Sequence, residues 1–175
     1  ERIMNEVMTL AEDLGIDMYI TDTDSIHMDT SKIKLLGTEF HKKYNRELIG
    51  KNLGQFHTDF ELDGADSDDI YAIISVFLGK KCYYDKLYTK NTDGTEHYGE
   101  HIRMKGIPND CIVDKANKEF DGDIIALYNY MYENPEGLEF NLLACRPKFE
   151  FHKNMTISSK SKFNRRVKFN KQKTN

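Results

Sequence analysis

The chain opens on a helical pattern. Ile3, Val7, Leu10 and Leu14 recur at the spacing of one buried helix face, and Gly15 follows where a left-handed cap belongs. This predicts a helix over residues 2–14. Residues 16–21 then read as a strand, Asp22-Thr23-Asp24-Ser25 as a tight connection, and residues 26–28 as the return strand. Ser31 can cap a second helix running to about Leu48, with Ile33, Leu36, Phe40, Tyr44 and Leu48 as its apolar stripe and Gly50 as its stop. Alternation over residues 55–62 predicts a strand, and the acidic stretch 63–69 a loop. Residues 70–78 are nearly all apolar or β-branched, the pattern of a strand well covered by other elements. Gly79 allows a turn into a strand over 81–89, and Asn91-Thr92-Asp93-Gly94 signals a hairpin returning over 97–104. Texture changes at Pro108. Ile124, Leu127, Tyr128 and Met131 give a helical face ended by Asn134-Pro135, and short strand-like pieces follow. The expected fold class is α+β with antiparallel pairing, divided near Gly106–Pro108 into one domain over 1–107 and a smaller one over 108–175.

Composition narrows the class. With 39% hydrophobic and 31% charged residues, the chain is too apolar for simple disorder. It has no run of the roughly 18 apolar residues a membrane-spanning helix needs, so no membrane partner is expected. Cys82, Cys111 and Cys145 are scattered and form no CxxC pair, which fits a reducing, intracellular compartment. The first helical pattern has no start signal before Glu1, so the chain is expected to be a fragment of a longer protein.

Net charge hides a split. Residues 146–175 hold ten Lys/Arg and one acid, whereas the first 145 residues hold 15 basic and 28 acidic ones. A basic end on an acidic body points to a polyanionic partner at that end. Phe149, Phe151, Phe163 and Phe169 are interleaved among those charges, which a free tail has little use for.

The Asp22-Thr23-Asp24-Ser25 connection carries the chemistry. Two carboxylates on one turn repel, and a divalent cation reverses that penalty. Mg²⁺ is commonly held by one or two carboxylates together with substrate phosphates, the arrangement of two-metal phosphoryl transfer. A calcium-binding loop of the EF-hand type is excluded, because its third ligand position falls on Ile26 and its glycine position on His27.

In that context the chain resembles the family B DNA polymerases. Ile20-Thr21-Asp22-Thr23-Asp24-Ser25 is similar to the family's third palm motif, Tyr-x-Asp-Thr-Asp-Ser; the aromatic position is Ile20 here, with Tyr19 one place early. Asn5-Glu6-Val7-Met8 resembles the segment preceding that motif, and Lys81-Cys82-Tyr83 the later Lys-x-Tyr motif that contacts the primer strand. Residues 53–60, Arg103-Met104-Lys105-Gly106-Ile107-Pro108 and the run 163–169 resemble the viral and organellar branch, which includes the protein-primed polymerases of linear plasmids, viruses and large mobile elements. The family's Asp-x-x-Ser-Leu-Tyr-Pro and Lys-x-x-x-Asn-Ser-x-Tyr-Gly motifs and its exonuclease motifs are absent; in the family's order they precede Glu1.

The resemblance implies an antiparallel palm sheet with packed helices over 1–107 and a small basic thumb over 108–175. It implies Mg²⁺ on Asp22 and Asp24, shared with an aspartate outside the chain. Thr23, Ser25, Lys81 and Tyr83 are expected near nucleotide and primer, and Arg103, Lys105, Arg165, Arg166 and Lys168 on the DNA backbone. The implied partners are primer-template DNA, deoxynucleoside triphosphates and a terminal priming protein, in a virus or mobile element. Taken alone, the chain is expected not to polymerise. The alternative reading is a non-catalytic nucleic-acid-binding module whose acidic turn is structural.

Overall fold

The computed structural model describes residues 2–142, 148–160 and 164–168. Arg146, Lys162, Phe163, Phe169, Lys171, Lys173 and Cys145 lie outside them, as do the side chains of Phe149 and Phe151. The fold is mixed α+β with antiparallel pairing, in the order α1 (Arg2–Asp13), β1 (Met18–Thr21), β2 (Ile26–Met28), α2 (Thr30–Tyr44), β3 (Tyr71–Gly79), β4 (Cys82–Lys90), β5 (Glu96–Met104), α3 (Asn109–Glu119), α4 (Ile124–Glu133), β6 (Leu138–Asn141), β7 (Lys148–Phe151), β8 (Ile157–Lys160), β9 (Asn164–Val167). Among the described residues the strands form four small sheets, β1-β2, β3-β4-β5, β6-β9 and β7-β8, not one continuous sheet. Connections as short as those joining β3, β4 and β5 permit only antiparallel neighbours. Among the described residues no helix is long and apolar enough to cross a membrane.

The chain divides into two compact units, Glu1–Ile74 with Lys86–His101 and Ser75–Asp85 with Ile102–Asn175. The division cuts β3, β4 and β5, whereas the change of sequence texture lies near Gly106. It also sorts charge: the first unit holds nine basic and 19 acidic residues, net −10, and the second 16 basic and ten acidic, net +6.

In the first unit, Val7, Leu10 and Ala11 of α1 and Leu36 and Phe40 of α2 close a core with Ile16 and Leu48. The buried stripe of α1 runs through Met4, with Ile3 only partly covered. Gly15 takes the left-handed cap (φ 65°) and Ile16 N–H closes on the Ala11 carbonyl at 2.8 Å. The start and end of α2 differ from expectation. Asp29 is the cap, its carboxylate accepting from Ser31 N–H at 2.8 Å, and Asn45 ends the helix in the left-handed region (φ 51°), well short of Gly50. The Asp29 carboxylate, two residues before Ser31, also interacts favourably with the positive end of the helix. The strand expected over 55–62 is absent; a single bridge joins Ile49 to Phe56.

The second unit packs Cys82, Tyr84, Ile102 and Met104 against Cys111, Ile112, Leu127, Tyr128, Met131 and Phe140. Helix α3 was not legible in the sequence; it buries only Cys111, Ile112 and Ala116. Strand β3 is less covered than expected, since consecutive Ile73 and Ile74 are both exposed. Asp85, fully buried, accepts from the Ser75 hydroxyl at 2.6 Å.

Two predictions arise from this unit. Gly137 sits at φ 67°, and a Cβ there would lie 1.8 Å from the Val167 carbonyl oxygen of β9. Gly137→Ala therefore meets both the left-handed penalty of about 1–2 kcal/mol and a backbone that must move. A drop in melting temperature of about 4 °C or more is expected; an unchanged melting curve overturns the placement of β9. Second, burial pushes the Cys82 thiol up to about 12 and raises the Tyr128 phenol, whose hydroxyl donates to the Arg103 carbonyl at 2.9 Å. Both folded-state values lie above the unfolded ones, so folding holds protons that the unfolded chain releases above about pH 9. Stability is complete below that pH and falls as pH rises further. Urea midpoints measured at pH 8 and 10.5 should differ, the alkaline one being lower.

Candidate functional site

The DTDS tetrapeptide caps the β1–β2 hairpin, paired antiparallel through Met18↔Met28, Ile20↔His27 and Thr21↔Ile26. Asp22 N–H donates to the Ser25 carbonyl at 2.9 Å, closing the turn, so Ser25 serves it through its backbone. Asp22 Oδ1 accepts from the Thr23 N–H at 2.8 Å and from the Thr23 hydroxyl at 3.3 Å. Asp22 is half-buried and oriented by these donors; Asp24 is exposed and makes no hydrogen bond or ion pair among the described residues. The register slips by one residue between Met18 and Ile20, which leaves Tyr19 as a bulge, 55% exposed. Such bulges re-aim side chains beside functional sites.

Two oxygen donors on one turn, one oriented and one open, suit Mg²⁺ held by few protein carboxylates. Among the described residues no three His, Cys, Asp or Glu stand together as ligands. Asp22 and Asp24 would hold the ion, and the remaining oxygens would come from elsewhere.

The second unit gathers the expected DNA contacts unevenly. Lys81 occupies the β3–β4 turn in the left-handed region (φ 58°) and is exposed beside Lys80. Its carbonyl accepts from Lys105 N–H at 3.0 Å. Arg165 reaches from β9 to the Gly106 carbonyl at 3.1 Å. Lys81 and Lys105 are thus joined through their backbones and the Arg165 guanidinium is held at the residue after Lys105, with Arg103 exposed two residues before Lys105 at the end of β5. Gly106 itself takes φ 79°, a backbone conformation that favours glycine.

Arg166 and Lys168 stand differently. Arg166 pairs across the β6–β9 register with Glu139 at 3.4 Å and donates to the Glu136 carbonyl, and Lys168 pairs with Glu136 at 3.1 Å. Their charge is locally cancelled. Tyr83, expected beside the primer, is buried at 7% exposure, with the Phe77 ring centroid at 6.3 Å. Sequence reasoning missed Lys80 and Gly106; a glycine beside a basic strand end was the available signal for the latter. Comparison of the chain with family models, curated proteins and solved structures finds no match.

Proposed function

We propose that the chain is the carboxyl-terminal palm and thumb portion of a family B DNA polymerase, extending a primer by two-metal phosphoryl transfer. One observation carries the reading: the DTDS sequence lies at the tip of a short antiparallel hairpin, with Asp22 oriented by its own turn and Asp24 open. Bound Mg²⁺ supplies charge neutralisation and acidifies the attacking hydroxyl. The chain's own contribution is positional. The closed turn fixes Asp22, the exposed position of Asp24 leaves its carboxylate available, and the cations around Lys81, Lys105 and Arg165 hold phosphates without reading bases. The charge division supports this assignment, with acid groups concentrated in the unit that has the turn and basic groups in the other.

The test is template-directed incorporation by a protein joining this chain to the preceding palm segments that the reading requires. Incorporation should depend on Mg²⁺ and on a primed template, and the chain alone should give none. Metal-independent DNA binding without incorporation by the joined protein supports a non-catalytic binding module instead.

A further inference from the structure

The DTDS hairpin has only four and three residues in its strands and, among the described residues, its strands pair with no other strand. A two-stranded hairpin of this size is marginal by itself, so its position must be set by packing. Ile26 and Met28 pack on the α1–α2 core. Alternation along β2 puts His27 on the opposite face. There the His27 ring meets Phe60 edge-on at 6.2 Å, and Phe60 in turn meets His101 of β5 at 5.4 Å, with interplanar angles of 62° and 67°.

Phe60 sits in a segment without regular structure, yet that segment is tied on both sides. Before it, Phe56 N–H donates to the Leu48 carbonyl at 2.7 Å and Gly50 N–H to the Phe56 carbonyl at 2.9 Å. After it, Leu62 lies so close over Gly99 that a Cβ there would be 2.1 Å from Leu62 Cδ2. Further on, Asp66 accepts from the Thr92 N–H at 3.1 Å, and Asn91 accepts from Asp66 N–H at 3.1 Å while donating to the Gly64 carbonyl at 3.2 Å. Between these ties His57, Thr58, Asp59 and Glu61 are all exposed, and Phe60 alone is half-buried. Its N–H donates to Thr58 Oγ1 at 3.3 Å, a local turn that presents the ring inward.

We propose that Phe60 is a positioning residue for the DTDS turn, clamping the outer face of the hairpin through His27 and referring it to β5 through His101. The inner face is held by the helical core, and the Phe60 contact bears on the other side. Only its metal readout rests on the function proposed above.

The experiment uses the full 175-residue chain, with backbone amide NMR and added Mn²⁺. Phe60→Ala should shift the amide resonances of Thr23, Asp24 and Ser25 and weaken Mn²⁺ broadening at the turn by about tenfold, the loss usual when a group orienting a ligand is removed. Phe60→Tyr keeps the ring and should retain both near the wild-type values. If the alanine variant does not fold, Phe60→Leu keeps the apolar volume and is read the same way. Turn amides that stay at wild-type positions while only residues 57–64 change overturn the proposal. Absence of Mn²⁺ broadening at the turn in the wild-type chain counts against the metal reading, and the amide shifts then decide the role of Phe60 without it.

Discussion

Under the proposed polymerase reading, Asp24→Asn should lower nucleotide incorporation by the joined protein by on the order of a thousandfold or more, with primer-template affinity unchanged. The magnitude follows from the charge. A phosphoryl-transfer transition state gathers negative charge that the metal neutralises, and the metal is held by carboxylates; an amide keeps the shape and removes the charge. The variant is informative because Asp24 is exposed and has no hydrogen bond among the described residues, so the fold should lose no more than about 0.5 kcal/mol. Asp22→Asn is a harder variant to read. The Asp22 carboxylate also accepts from the Thr23 N–H at 2.8 Å, an acceptor role that an amide oxygen can keep, so a loss there mixes charge with turn geometry. Single-turnover incorporation and DNA affinity measured on Asp24→Asn separate chemistry from binding. Near-normal incorporation would refute the assignment of Asp24 as a metal ligand.

What could be read from the sequence was what local physics decides. The β1–β2 hairpin and the Asn91–Gly94 turn were legible because a few residues settle them: Gly94 takes φ 88° and Asn91 N–H bonds the Thr95 carbonyl at 2.8 Å. The stretch 55–62 misled because Phe56, Phe60 and Leu62 are spaced like a strand face. Each is instead a separate anchor, on the helical core, between two imidazoles and over Gly99, and no partner strand is present. Helix α3 escaped because Cys111, Ile112 and Ala116 make too narrow a stripe to stand out, and Pro108 precedes it without a side-chain cap. Strand β3 looked covered because apolar content does not report which neighbours arrive; Ile73 and Ile74 are both exposed. For the site, the two carboxylates were local and legible. The grouping of Lys81, Lys105 and Arg165 depends on strand register and on Gly106, and the neutralisation of Arg166 depends on its register with Glu139. Neither is written in any short window of sequence.

That grouping yields the second large effect, in the salt dependence of the DNA binding that the proposed reading requires. Sequence alone ranks Arg165, Arg166 and Lys168 together, but the structure divides them. Around the β3–β4 turn, Lys80, Lys81, Arg103, Lys105 and Arg165 are exposed with no carboxylate paired to them among the described residues. At β9, Arg166 and Lys168 stand against Glu139 and Glu136, at 3.4 and 3.1 Å. Exposed ion pairs of this kind are weak, roughly 0–1 kcal/mol, so a phosphate could draw either cation away. The carboxylates remain beside the phosphate when it does, and two cations with two anions release few counterions. Each neutralised phosphate contributes roughly 0.9 to the slope of log affinity against log salt. The variant Lys81→Gln, Lys105→Gln, Arg165→Gln should therefore flatten that slope by about two to three units, equally on unrelated sequences because phosphates carry no base identity. The pair Arg166→Gln, Lys168→Gln should change it by less than about one unit. Under the proposed reading, the joined protein carrying the triple variant should copy shorter stretches per binding event while its single incorporation step, which that reading assigns to the Asp22–Asp24 turn, stays close to wild type. Equal slopes for the triple variant and wild type would remove the β3–β4 turn from the DNA interface, and a larger effect from the Arg166–Lys168 pair would move that interface to β9.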